Sequence, residues 1–82
     1  MSTLDDREQV ALDIFLAFER PGESHFSAHL LRLIQKADSV NRERLARSYP
    51  LHVEMFREWW DTPNTEEFYE RYNVNLHVKD HG

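Results

Sequence analysis

Tyr49-Pro50-Leu51-His52-Val53-Glu54-Met55-Phe56-Arg57-Glu58-Trp59-Trp60 carries more large apolar surface than one face of a helix can hide. Proline has a fixed φ and no N–H, which suits the first helical turn, so Pro50 opens a helix with Ser48 or Tyr49 at its boundary. Asp61-Thr62-Pro63 closes it. Within the segment Val53, Phe56 and Trp60 recur at +3, +4, while Leu51, Met55 and Trp59 recur at +4, +4. Both series cannot point at one small core. The first is assigned to the core. The second is buried if the helix lies between two others, or stays at the surface if the protein binds a partner there, as aromatic and methionine side chains do at interface centres.

Working outward, the segment before it reads as two shorter helices. One starts after Ser24 and runs to about Ala37, with Phe26, Leu30, Leu33, Ile34 and Ala37 on one face, Leu31 at its margin, and Arg32, Gln35 and Lys36 outside. Asp38 or Ser39 caps the next, through about Arg47, where Val40, Leu45 and Tyr49 give a thin apolar edge and Arg42, Arg44 and Arg47 face outward. Pro21-Gly22 separates these from an N-terminal helix over 4–18, capped by Ser2 or Thr3, with Asp5, Asp6 and Glu8 near the positive end of its dipole. Its apolar residues Leu4, Ala11, Ile14, Phe15 and Phe18 are broadened by Val10, Leu12 and Leu16, which predicts a central position. On the C-terminal side Thr62 or Asn64 caps a short helix carrying Phe68, Tyr69 and Tyr72. Residues 73–78 then alternate at strand period, but no other segment offers a partner strand.

The prediction is an all-α bundle of four to five short helices, one domain over 1–75 with an extended or frayed tail over 76–82. At 82 residues such a chain buries only about 60 to 65% of its extended surface. Without cysteine there is no disulfide or thiolate, and stability comes from packing or a partner. No apolar run approaches the roughly 20 residues needed to span a bilayer, and the acidic start is unlike a signal peptide. The chain reads as cytoplasmic.

The formal net charge of −5 disfavours nonspecific nucleic-acid binding, whose affinity comes from neutralised phosphates. The charge is unevenly spread. Residues 1–23 and 48–82 are each at −4, whereas 24–47, with Arg32, Lys36, Arg42, Arg44 and Arg47 against Asp38 and Glu43, stand at +3. That pattern predicts charge pairing across packed helices first, and a basic patch for an acidic partner second.

Few residues point to chemistry. His25 and His29 share the i, i+4 spacing of a metal pair, but Glu does not follow the first and only His52 offers itself as a third ligand; His77 and His81 repeat the spacing in the tail. Ser24, Ser27, Ser39 and Ser48 lack a nucleophile-elbow pattern, Glu54 and Glu58 read as exposed acids, and no glycine-rich turn could cradle phosphate. No enzyme activity, metal or cofactor is expected. The short Ala37-Asp38-Ser39 turn permits a helix-turn-helix reading in which Arg42, Arg44 and Arg47 contact nucleic acid, although the acidic flanks oppose it.

Phe26-Ser27-Ala28-His29-Leu30-Leu31-Arg32-Leu33-Ile34-Gln35-Lys36-Ala37-Asp38, continuing through Asn41-Arg42, Leu45, Tyr49-Pro50 and Phe56 to Trp60, resembles a pattern in small uncharacterised helical proteins of bacterial and phage genomes. The resemblance covers under half the chain and carries no catalytic or ligand motif. It implies a compact helical domain and makes a small modulator of a host protein more plausible. The leading expectation is a noncatalytic protein-binding module, with Leu51, Met55, Trp59, Trp60 and Tyr69 as the contact residues and another protein or a second copy as the partner. The alternative is a nucleic-acid-associated regulator using Arg42, Arg44 and Arg47.

Overall fold

Asp5, rather than Ser2 or Thr3, begins the first helix. Its carboxylate accepts from the Glu8 N–H at 2.7 Å, and the Glu8 side chain reaches back to the Asp5 N–H, so the two close a capping box. A computed structural model describes residues 5–20 and 25–74; Ser2, Thr3, Leu4 and the expected tail over 76–82 lie outside them. The described residues form five helices: α1 Asp6–Phe18, α2 Phe26–Lys36, α3 Ser39–Ser48, α4 Pro50–Asp61 and α5 Thr65–Arg71. No strand occurs among them.

Local chemistry sets most boundaries. Asp38 caps α3 by accepting from the Asn41 N–H at 2.8 Å, and Asn64 caps α5 by accepting from the Glu66 N–H at 3.0 Å. Pro50 sits in the first turn of α4, as its sequence predicts. Asn73 takes a left-handed φ of 62°, a conformation asparagine tolerates, and the chain turns there instead of continuing the strand-like alternation. The turn buries Val74 completely, and Asn73 Nδ2 donates to Glu8 Oε2 at 2.6 Å.

The core is built from α1 (Val10, Ala11, Ile14, Ala17), α2 (Ala28, Leu30, Leu31, Ile34), α4 (Val53, Met55, Phe56), α5 (Phe68, Tyr69) and Val74. Burying each large side chain stabilises by about 1.5 to 3 kcal/mol. α4 packs against the other four helices and α1 against three, the central placement that the breadth of apolar sequence in α1 predicts. α3 supplies no fully buried residue and leans on α4 through half-buried Leu45, Ala46 and Tyr49.

Three details correct the sequence reading. α2 is turned somewhat from the face expected for it: Leu30 and Ile34 are buried as their spacing predicts, but marginal Leu31 is fully buried with Ala28, whereas Phe26 and Leu33 are 64% and 52% exposed. Small Ala28 lets α2 approach its neighbours closely, so the Ala28-Leu31 side turns inward and the Phe26-Leu33 row outward. Val40 is likewise exposed instead of packing along the edge of α3. Arg32 turns in, its Nε donating to the Ala17 carbonyl at 3.2 Å beside the end of α1.

Candidate interaction surface

The two apolar series of α4 both enter the body of the protein, and they leave it at different residues from those expected. Val53 and Phe56 are buried, but Trp60, the third member of the presumed core series, is 63% exposed. Met55, one of the expected contact residues, is fully buried, with Arg7 Nη1 3.5 Å from its sulfur. Leu51 and Trp59 are half-buried against the core. Trp59 rather than Trp60 therefore turns to the core, because Trp59 has partners that Trp60 lacks. Its indole stacks on Phe18 with centroids 4.8 Å apart and planes at 15°. Its Nε1 donates to Tyr69 Oη at 2.9 Å, and Tyr69 Oη donates in turn to Glu19 Oε2 at 2.9 Å. Tyr69, another of the expected contact residues, is buried and meets Phe15 edge-on. Burial raises its phenol pKa far above the ordinary value, and the hydrogen bond to Glu19 adds to the shift by holding the proton.

The ionic groups of α4 are also engaged. Glu54 accepts from Arg7 Nη2 at 2.8 Å, which raises the guanidinium pKa through the hydrogen bond and the opposed charge. Glu58 pairs with Arg71 and accepts from Tyr72 Oη at 2.8 Å, so Glu54 and Glu58 diverge to different partners. Asp13, buried in α1, accepts from Gln9 Nε2 at 3.3 Å and lies 3.5 Å from His25 Nε2. Burial lowers the His52 pKa, partly offset by attraction to Asp13. Among the described residues no three His, Asp or Glu side chains converge as a metal site would require.

The three arginines of α3 part company. Arg42, expected outward, folds over the end of α2: Nε donates to the Ile34 carbonyl at 3.2 Å and Nη2 to the Ala37 carbonyl at 3.1 Å. Its guanidinium lies 5.7 Å from the Phe56 ring centroid. It adds donors to carbonyls in the last turn of α2, where the Ile34 carbonyl otherwise has only the Ala37 N–H at 3.3 Å. Arg44 and Arg47 remain exposed.

The large apolar side chains that stay exposed, Phe26, Leu33, Val40 and Trp60, sit on α2, α3 and the end of α4. A depression of about 400 Å³ is lined by Gln35, Arg42, Phe56, Arg57, Trp60 and Asp61. A second, of about 480 Å³, lies between α2 and α3 over Leu33, Ala37 and Leu45, with Lys36, Asp38, Asn41 and Arg44 around it. Phe26 extends the outer row of α2 toward Tyr49, with ring centroids 6.0 Å apart. The outward row of α2 carries little signal as a surface in the sequence, where Phe26 and Leu33 share a face with each other but not with Ala28 and Leu31.

No family model, curated protein or solved structure matches this chain. Among the described residues, no helix is long and apolar enough to cross a membrane.

Proposed function

We propose that the chain is a noncatalytic protein-binding module, with Trp60 and the outward row of α2 as its contact surface. The observation that carries this reading is the exposure of Trp60, stacked on Phe56 at the rim of a depression, while the rest of the α4 apolar surface is used internally. Large aromatics flanked by arginine are the groups on which binding energy concentrates. The surface is re-centred relative to the sequence expectation. Trp60 is kept, whereas Leu51 and Trp59 are half-buried on the core and Met55 and Tyr69 are buried within it, so these four leave the contact set. The noncatalytic reading is supported by the engagement of Glu54, Glu58 and Tyr69 in pairings that tie one helix to another.

The partner is another protein, in the cytoplasm, with a host protein modulated by a phage-type binder as one version and a second copy as another. Affinity capture from source-cell lysate should recover a partner with wild type and lose it with Trp60→Ala. Equal capture by the folded variant would count against the surface. Light scattering over a concentration series tests the homodimer version, which a strict monomer removes. The nucleic-acid reading now rests on Arg44 and Arg47, since Arg42 is occupied at the end of α2. A mobility shift at low salt, lost on neutralising Arg44 and Arg47, would support it; no shift would eliminate it.

A further inference from the structure

We propose that the groove between α2 and α3 receives an acidic amphipathic segment of a partner protein, its apolar side chains on Leu33, Ala37 and Leu45 and its carboxylates on Lys36 and Arg44. This rests on the protein-binding reading above and gives the partner its chemistry.

Two observations carry it. First, α2 and α3 hardly approach each other beyond their connection, although each packs on α4. The space between them is a groove of about 480 Å³ with an apolar floor, continued by Leu33 at 52% exposure. Second, the cations of the basic stretch do not find the acids of the flanking stretches. The charge pattern predicts pairing across helices, yet the described arginine–carboxylate pairs lie on α1, α4 and α5 through Arg7 and Arg71. Arg32 and Arg42 are turned onto backbone carbonyls. No described carboxylate lies within ion-pair reach of Lys36, Arg44 or Arg47. Asp38, the one acid at the groove, is committed to the N-terminus of α3 through the Asn41 N–H.

A basic rim over an apolar floor, on a molecule with formal net charge −5, favours a partner that is acidic and amphipathic. The acidic stretches 1–23 and 48–82 repel such a segment and the groove attracts it, so the charge distribution both selects and orients it. A basic segment would be drawn to the acidic ends instead.

The probe is a labelled synthetic peptide with leucines along one helical face and glutamates along the other, titrated against the full chain by fluorescence anisotropy; its counterpart carries lysine at every glutamate. The acidic peptide should bind, weaken as salt is raised, and lose at least tenfold in affinity with the double variant Lys36→Glu, Arg44→Glu. Leu33→Ser should weaken it similarly, with circular dichroism checking that both proteins fold. The proposal is overturned if neither peptide binds, if both bind equally, or if the charge reversal leaves affinity unchanged. It is also overturned if single-stranded oligonucleotide displaces the peptide at equal charge concentration, or if light scattering shows a dimer that Leu33→Ser disperses. Capture of a lysate protein that needs Trp60 but survives the Leu33, Lys36 and Arg44 changes would remove this groove while leaving the protein-binding reading standing.

Discussion

Trp59 and Trp60 are neighbours in sequence with different structural roles. Adjacent helical positions point about 100° apart, and both side chains satisfy the apolar pattern, so nothing within α4 decides which turns inward. The decision comes from Phe18 and Tyr69 on other helices, which offer one indole a stacking face and a hydrogen-bond acceptor. Trp59→Ala should therefore cost about 3 to 5 kcal/mol of unfolding free energy, and Trp60→Ala only about 0.5 kcal/mol, as measured by urea denaturation. Tyr69→Phe leaves the Trp59 N–H and Glu19 without their shared partner and should cost about 1 to 3 kcal/mol. His52 offers a pH test. Burial lowers its folded pKa below the ordinary 6.5, so its contribution is fully present above that pH and is lost as pH falls toward the folded value. Denaturation midpoints measured between neutral pH and the folded pKa should fall less steeply on acidification for His52→Gln than for wild type.

The number of helices and most of their ends were legible because local signals fix them: Pro50 in a first turn, Asp38 and Asn64 as caps, apolar spacing of 3 and 4. The rotation of α2 was not. Phe26, Leu30, Leu33, Ile34 and Ala37 make a continuous stripe on paper, but close packing at Ala28 and Leu31 selects a neighbouring face, and a small residue contributes little to an apolar pattern. The inward turn of Arg42 was also hidden, since its partners are backbone carbonyls that no side-chain pattern records. α3 is the helix most dependent on its neighbours, with no fully buried residue of its own. Its amides should exchange with solvent faster than those of α1 or α4. Asp38→Ala, which removes the acceptor for the Asn41 N–H, should cost about 1 kcal/mol and raise exchange rates across α3 more than elsewhere, as hydrogen-exchange mass spectrometry would read.

For the molecule as a whole, a small core is completed by a residue beyond its last described helix. Val74, in a segment that alternates at strand period in the sequence, is fully buried because the left-handed turn at Asn73 redirects the chain. A single positive φ is invisible to periodicity, so the strand-like alternation of 73–78 carries no sign of the turn. Val74→Ala should lower global stability by about 1 to 3 kcal/mol, measured by thermal or urea unfolding. The hydrogen bond between Glu8 and Asn73 draws the first turn of α1 against the segment that follows α5. In connectivity the helical body is thus nearly a ring. A short flexible linker between its two ends would close that ring at little entropic cost, and the chain could then be cut elsewhere. A circular permutant opened at the exposed Pro63 should keep the wild-type helical circular dichroism spectrum, whereas one opened inside α4 should lose it, because that helix touches every other.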